Sequence, residues 1–141
     1  MRKLEQQNSY TVLLAQIKNT VDEGKTLALK MVRRQLVLTY WAIGKNIVEF
    51  EQQGNEKAVY GSKVLDGLSK DLSDQLGRGF SRTNLIYMRL CFIKYSDINI
   101  LSDQLSWGHV VELLGIDHDL ERSFYEKQSV LEKWTVRELK R

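Results

Sequence analysis

The amino-acid sequence predicts an all-α protein: a compact multi-helix domain with one long spine helix and a helix-turn-helix unit, a winged-helix-like version of that unit being left open. Three observations carry this expectation. None of the 141 residues is proline, so the strongest helix breaker is missing and Gly, Asn and Ser supply the punctuation. Apolar residues recur at spacings of three and four along most of the chain, the period of an α-helix with one buried face. No run alternates long enough to build a sheet; the exception is the short apolar piece Ile98 to Leu101, which reads as a small wing strand.

From about Ser9 to Glu23, the positions Val12, Leu13, Ile17 and Val21 mark a first amphipathic helix that stops near Gly24. From Thr26 to about Gln53, Leu29, Val32, Leu36, Tyr40, Ile43, Ile47 and Phe50 mark the spine, with Val37, Trp41 and Val48 widening its stripe. At 1.5 Å per residue the spine is about 40 Å long. Gly44 falls inside it at a cost of roughly 1 kcal/mol relative to Ala, which either close packing of a second backbone or a kink would account for. The polar run from Gln52 to Lys57 reads as a loop, and Ser62 as the cap of the next helix.

That third helix uses Leu65, Leu68, Leu72 and Leu76 as its buried stripe and ends at Gly77, a residue suited to a left-handed C-terminal position. The fourth starts at Ser81 and buries Leu85, Met88, Phe92 and Tyr95, with Arg82 and Arg89 projecting together from the opposite face. After a loop around Asp97 to Asp103, a short helix runs from Ser106 to Leu114 and is closed by Gly115. Asp117 or Asp119 caps a sixth helix through Phe124 and Tyr125 towards Trp134, and Thr135-Val136-Arg137-Glu138 has the capping-box pattern of a last one.

Length and composition set the frame around these elements. A chain of 141 residues is expected to form a single domain, residues 1–141, with a core large enough to fold without staples. Its 43% hydrophobic and 28% charged residues are those of a globular protein, not a disordered one. The lone Cys91 lies among apolar neighbours and reads as a small buried hydrophobe, in keeping with a reducing, cytoplasmic setting. Neither a membrane-spanning run nor the apolar core of a signal peptide is seen.

The most informative stretch is Leu65 to Met88, where a helix, the turn Gly77-Arg78-Gly79-Phe80 and a second helix opened by Ser81 follow the local grammar of a helix-turn-helix. Residues 62–95 hold Lys63, Lys70, Arg78, Arg82, Arg89 and Lys94 against Asp66, Asp71 and Asp74, a balance of +3 that accounts for the whole net charge of the chain. Two glycines let backbone amides and Arg78 approach a phosphate, and the helix start adds donors and a favourable dipole. The same glycines also suit a plain tight connection. Ile86, Leu90 and Ile93 complicate a recognition helix, because apolar side chains prefer burial. Three readings follow: the helix is covered on both sides, its outer face meets another protein, or only its first turn (Arg82, Thr83, Ile86) enters a groove.

No catalytic chemistry emerges. His109 with Glu112, and Asp117-His118-Asp119, lack convergent metal-ligand spacing and read as helix caps and solvated positions. Glu138-Leu139-Lys140 matches half of a nuclease E-x-K motif but lies on a helix without an acidic partner strand, so it reads as chance. Trp41, Trp107 and Trp134 sit on apolar stripes and read as core, and Lys30, Arg33 and Arg34 as a solvated basic face. No metal, cofactor or catalytic residue is expected.

Six ordered blocks nevertheless look familiar: Tyr40-Trp41-x-Ile43-Gly44-Lys45-x-Ile47, Leu68-Ser69-Lys70-Asp71-Leu72, Gly79-Phe80-Ser81-Arg82-x-Asn84-Leu85-x-x-Met88-Arg89, Leu105-Ser106-Trp107-x-His109, Phe124-Tyr125 and Trp134-Thr135-Val136-Arg137-Glu138-Leu139. In that order they resemble the amino-terminal domain of the YhcG-type proteins of the PDDEXK nuclease superfamily, from about Tyr10 onward. The chain departs from the usual pattern at Leu90-Cys91-Phe92, where an aromatic pair is common, and at Thr135, where serine is frequent. The resemblance implies a bacterial, helical domain of winged-helix or helix-turn-helix type, placed ahead of a nuclease domain that carries the metal-binding carboxylates.

The functional expectation is a non-catalytic module that binds duplex DNA for a carboxy-terminal nuclease domain in cis. Arg78, Ser81, Arg82, Thr83 and Arg89 are the expected contacts, supported through phosphates by Lys70 and Lys94. The rival expectation is an interaction or dimerisation domain that arranges nuclease subunits, with Ile86, Leu90 and Ile93 as the sticky face of a homodimer.

Overall fold

The computed structural model describes residues 2–53 and 57–141, and within 57–62 the backbone alone. Its elements are α1 (Arg2–Gln52), α2 (Lys57–Leu76), α3 (Arg82–Lys94), a 3₁₀ turn (Ile98–Ile100), α4 (Trp107–Leu114), α5 (Asp119–Leu131) and α6 (Val136–Lys140). Among the described residues there is no strand, and the all-α expectation holds. No described helix is long and apolar enough to cross a membrane.

The two helices expected on either side of Gly24 are one. α1 runs unbroken for 51 residues, about 77 Å at 1.5 Å per residue. Gly24 has no proline or second glycine beside it, and one glycine in a run of helix formers costs only about 1 kcal/mol, too little to end the helix. The stripe that α1 buries also differs from the expected one. Leu29, Val32, Leu36 and Phe50 remain exposed, whereas Val37, Gly44, Ile47 and Val48 are buried and Tyr40, Trp41 and Ile43 are half-buried. The residues taken as widening the stripe are its centre, because α3 crosses α1 on that side.

Gly44 explains how close that crossing is. A Cβ there would sit 1.9 Å from the Met88 carbonyl oxygen of α3, so the expected backbone approach is realised and no kink is needed. Around it Ile47, Leu85 and Met88 form one apolar cluster, flanked by Tyr40, Ile43, Leu65, Leu68, Leu72, Phe80 and Trp107. A second cluster joins Val37, Cys91 and Tyr95 to Leu101, Leu105, Val110, Leu113, Leu114 and Leu139, tying α4 and α6 to the α1–α3 pair. Trp107 packs against both clusters.

Most expected helix ends hold because their chemistry is local. Ser81 accepts the Asn84 amide at 3.1 Å, and Thr135 accepts that of Glu138 at 3.2 Å. Ser106 caps α4 in a reciprocal box, its hydroxyl taking the His109 amide while the His109 ring accepts the Ser106 amide at 3.2 Å. Gly77 has the expected left-handed backbone, φ +89. Four expectations fail. Ser62 lies inside α2, which already begins at Lys57, while residues 54–56 of the expected loop fall outside the described residues. Leu76 is exposed instead of buried. The N-cap position of α5 is His118 rather than an aspartate, and no side-chain bond caps it. The wing strand at Ile98–Leu101 is a 3₁₀ turn capped by Asp97 and held by Arg34 of α1, whose guanidinium donates to the Leu101 and Ile98 carbonyls at 3.0 and 3.3 Å. Those carbonyls are thereby satisfied without a partner strand. Arg34 therefore has a structural use and is not part of a solvated face; Lys30 next to it lies 3.9 Å from Asp103.

Candidate nucleic-acid interface

The turn between α2 and α3 is built from backbone conformations that glycine alone adopts readily. Gly77 and Gly79 have φ of +89 and +104, and a Cβ at Gly79 would come within 2.7 Å of the Tyr40 hydroxyl on α1. Glycine is required there for conformation and for space alike. Tyr40 meets Phe80 and Trp107 edge-on, with ring centroids 6.5 and 4.9 Å apart, so the turn is pressed onto the spine. Asn84 fixes it from the other side: its amide donates to the Gly79 carbonyl at 2.6 Å and its oxygen accepts the Trp107 indole at 2.8 Å. Sequence reading missed Asn84, although its place three residues after the Ser81 cap was visible.

This corner presents Arg78, Ser81, Arg82 and Thr83 to solvent. Ser81 spends its hydroxyl on the cap, and the start of α3 leaves the amides of Arg82 and Thr83 without intrahelical acceptors. Both lie at the positive end of a 13-residue helix. Arg78 is exposed and has no ion pair among the described residues. Arg82 is held by Asp66 of α2, Nε to Oδ1 at 2.7 Å, but both side chains are about half exposed, so water and salt screen the pair. Lys70, also exposed, lies on α2 one turn beyond Asp66. A shallow depression of about 430 Å³ runs from this corner past Tyr87 and Trp107 to Val136 and Lys140.

Arg89 and Lys94 are placed differently. Arg89 does not project beside Arg82; its guanidinium is clamped by Glu51 near the end of α1, through bonds of 2.7 and 2.8 Å to the two carboxylate oxygens. Glu51 is only 17% exposed, and its hydrogen bond raises the Arg89 pKa further despite the opposing effect of burial. Lys94 donates to the Leu114 carbonyl at 3.1 Å and approaches Asp117 at 3.7 Å, binding the end of α3 to the end of α4. Both cations therefore serve the fold: each is drawn in by an acceptor remote in sequence.

The body of α3 is enclosed. Leu85, Met88 and Cys91 are fully buried, Ile86, Tyr87, Leu90 and Phe92 are half-buried, and among its apolar residues Ile93 alone is exposed. Of the three readings, coverage on both sides fits the helix best, Ile93 excepted, and Arg82 and Thr83 of its first turn face solvent. Of the face expected for a homodimer, Leu90 packs against the larger core cluster, Ile86 is half-buried and Ile93 is exposed. His109, once a metal candidate, bonds Ser106 and, through Nε2, the Trp134 carbonyl at 2.7 Å. No cluster of three metal-ligating side chains is found among the described residues.

Comparison with known proteins adds what geometry does not. Residues 16–141 match the family described as the DUF1016 N-terminal domain. The chain is also 33% identical, over 153 aligned positions, to the Escherichia coli (strain K12) protein named "Putative nuclease YhcG". That alignment takes in 86% of this chain and 41% of the relative, so the chain spans well under half of the relative's length. No solved structure matches.

Proposed function

The chain belongs to the DUF1016 N-terminal domain family, and from that premise we propose that it is a non-catalytic module that binds duplex DNA on behalf of a nuclease domain in the same protein. The observation that carries this reading is the solvent-facing corner Gly77–Thr83. There Arg78, without an ion pair among the described residues, a weakly held Arg82 and the first amides of α3 lie together on a turn that Tyr40 and Asn84 keep rigid. Oriented amides and guanidinium groups on a fixed corner suit phosphate oxygens, which accept from both. The partly covered body of α3 favours backbone phosphates over base edges in this reading, so affinity is expected to be high at low salt and weakly dependent on sequence.

In this reading Arg78, Arg82 and the Ser81–Thr83 backbone touch DNA and Lys70 supports them from α2. Arg89 and Lys94 hold α3 in place. Fluorescence anisotropy with a labelled duplex at low ionic strength tests it. Binding that falls steeply with salt, and at least roughly tenfold in Arg78→Ala plus Arg82→Ala, is the expected result. No binding at low salt, or binding indifferent to that double substitution, overturns the reading.

A further inference from the structure

The amino-terminal half of α1 leaves the rest of the molecule. The described hydrogen bonds of residues 2–29 are confined to α1, such as Asn19 to Glu23, and the first link to another element is Lys30 to Asp103. Tyr10, Leu14, Ile17, Val21, Ala28 and Met31 fall at alternating three- and four-residue steps once Gly24 is counted between them, the repeat of a coiled-coil seam. By helical geometry this seam lies opposite the side of α1 that carries Val37, Trp41 and Gly44. It is uncovered: Tyr10 is 64% exposed, Ile17 52%, Val21 49% and Met31 62%.

We propose that this arm pairs with the same arm of a second copy of the chain, in parallel, as a coiled-coil stalk. Three features select that occupant. In the seam register, the positions most nearly opposite the seam from 16 to 33 are Gln16, Asn19, Glu23, Thr26, Lys30 and Arg33, so the back of the helix is polar where a two-stranded coil meets water, with Asp22 and the exposed Leu29 beside them. Half-exposed side chains of this size offer on the order of 100 Å² each, about 500 Å² over Tyr10, Leu14, Ile17, Val21 and Met31, and the exposed flanking Leu13 and Leu27 raise that towards the roughly 800 Å² per partner of a standard interface.

Charge then decides direction. Lys18 and Lys25 lie on one flank of the seam, and Leu13, Thr20 and Leu27 on the other. Parallel pairing sets Lys18 and Lys25 of one copy against Leu13 and Thr20 of the other, where their aliphatic stems pack. Antiparallel pairing sets lysine against lysine, which repels. At Gly24 and Ala28 the seam is thin, so the two helices approach most closely there. A parallel stalk also brings both Gly77–Thr83 corners to the same end, as a two-fold DNA reader would require. That last consequence alone rests on the nucleic-acid reading, whereas the pairing itself is measured without DNA.

Light scattering of the whole chain over a range of concentrations tests it. The expected mass is twice 16.4 kDa, falling to the monomer in Ile17→Glu and unchanged in Asn19→Glu, with helicity and melting of the globular part retained in both. Tyr10→Cys is expected to form an intermolecular disulfide with itself, because an antiparallel pair overlapped at Val21 holds the two positions roughly 33 Å apart, far beyond disulfide reach. The native Cys91, fully buried, does not compete. A wild-type chain that stays monomeric, a dimer indifferent to Ile17→Glu, a dimer that Tyr10→Cys fails to link, or a monomer that settles on anionic vesicles instead would each overturn the proposal.

Discussion

Gly44 of α1 and Met88 of α3 are in backbone contact: a methyl group at position 44 would lie 1.9 Å from the Met88 carbonyl oxygen and 2.6 Å from its carbon. The contact lets the two helices that carry most of the core cross without a side chain between them. It also makes one chemical change have opposite effects at two positions of a single helix.

Gly44→Ala is expected to destabilise the protein by at least about 2 kcal/mol, since the gain of roughly 1 kcal/mol in helix propensity is outweighed by the displacement of α3. Gly24→Ala, with nothing within 4 Å of the added carbon, is expected to stabilise by up to about 1 kcal/mol. Urea unfolding of the two variants checks both signs. Equal effects at the two sites would refute the crossing geometry.

Two of the three arginines that sequence reading grouped as DNA contacts, Arg89 and Arg78, separate by experiment. Arg89→Ala strands the mostly buried carboxylate of Glu51 and is expected to cost about 1–2 kcal/mol, between the limits for exposed and buried ion pairs because the arginine is one-third exposed. Arg78→Ala should leave the urea midpoint unmoved while weakening duplex binding.

Asp66→Asn is expected to strengthen duplex binding several-fold at low salt by releasing Arg82 and removing a negative charge beside the corner. An anisotropy titration that shows weaker binding instead would mean that the carboxylate positions Arg82 for its contact.

Burial pushes the Cys91 thiol up to about 12, above the roughly 8.5 of a free cysteine. A folded pKa above the unfolded one means that the native state holds its proton longer. The contribution is therefore complete below about pH 8.5 and is lost as pH rises towards 12, at up to about 1.4 kcal/mol per pH unit. Comparing wild type with Cys91→Ala across pH 8 to 11 isolates this slope, which should be missing in the variant. Thiol reagents should label the wild type only as it unfolds.

Disrupting Asn84 is expected to act on stability and binding together. Asn84→Ala leaves the half-buried Trp107 indole without its acceptor and the Gly79 carbonyl without its donor, a loss of about 1–3 kcal/mol. It also loosens the corner that binds phosphate. A variant with unchanged DNA affinity would show that the rigidity of the turn is irrelevant to binding.

The sequence by itself determined the fold class, the helix starts at Ser81, Ser106 and Thr135 and the left-handed Gly77. Each of these is decided within a few residues, by a side-chain oxygen reaching an amide one turn on or by a backbone angle that only glycine tolerates. Tertiary structure alone decided which stripe of α1 is buried, because that helix carries apolar residues on more than one side and periodicity does not say which of them a neighbour will cover. It alone decided the fate of the cations too. Arg89 meets a carboxylate 38 residues away and Arg34 meets carbonyls more than 60 residues away, and no local spacing encodes such pairings. Gly24 shows the same division from the other direction, since a single weak helix former ends a helix only where the surrounding packing lets it.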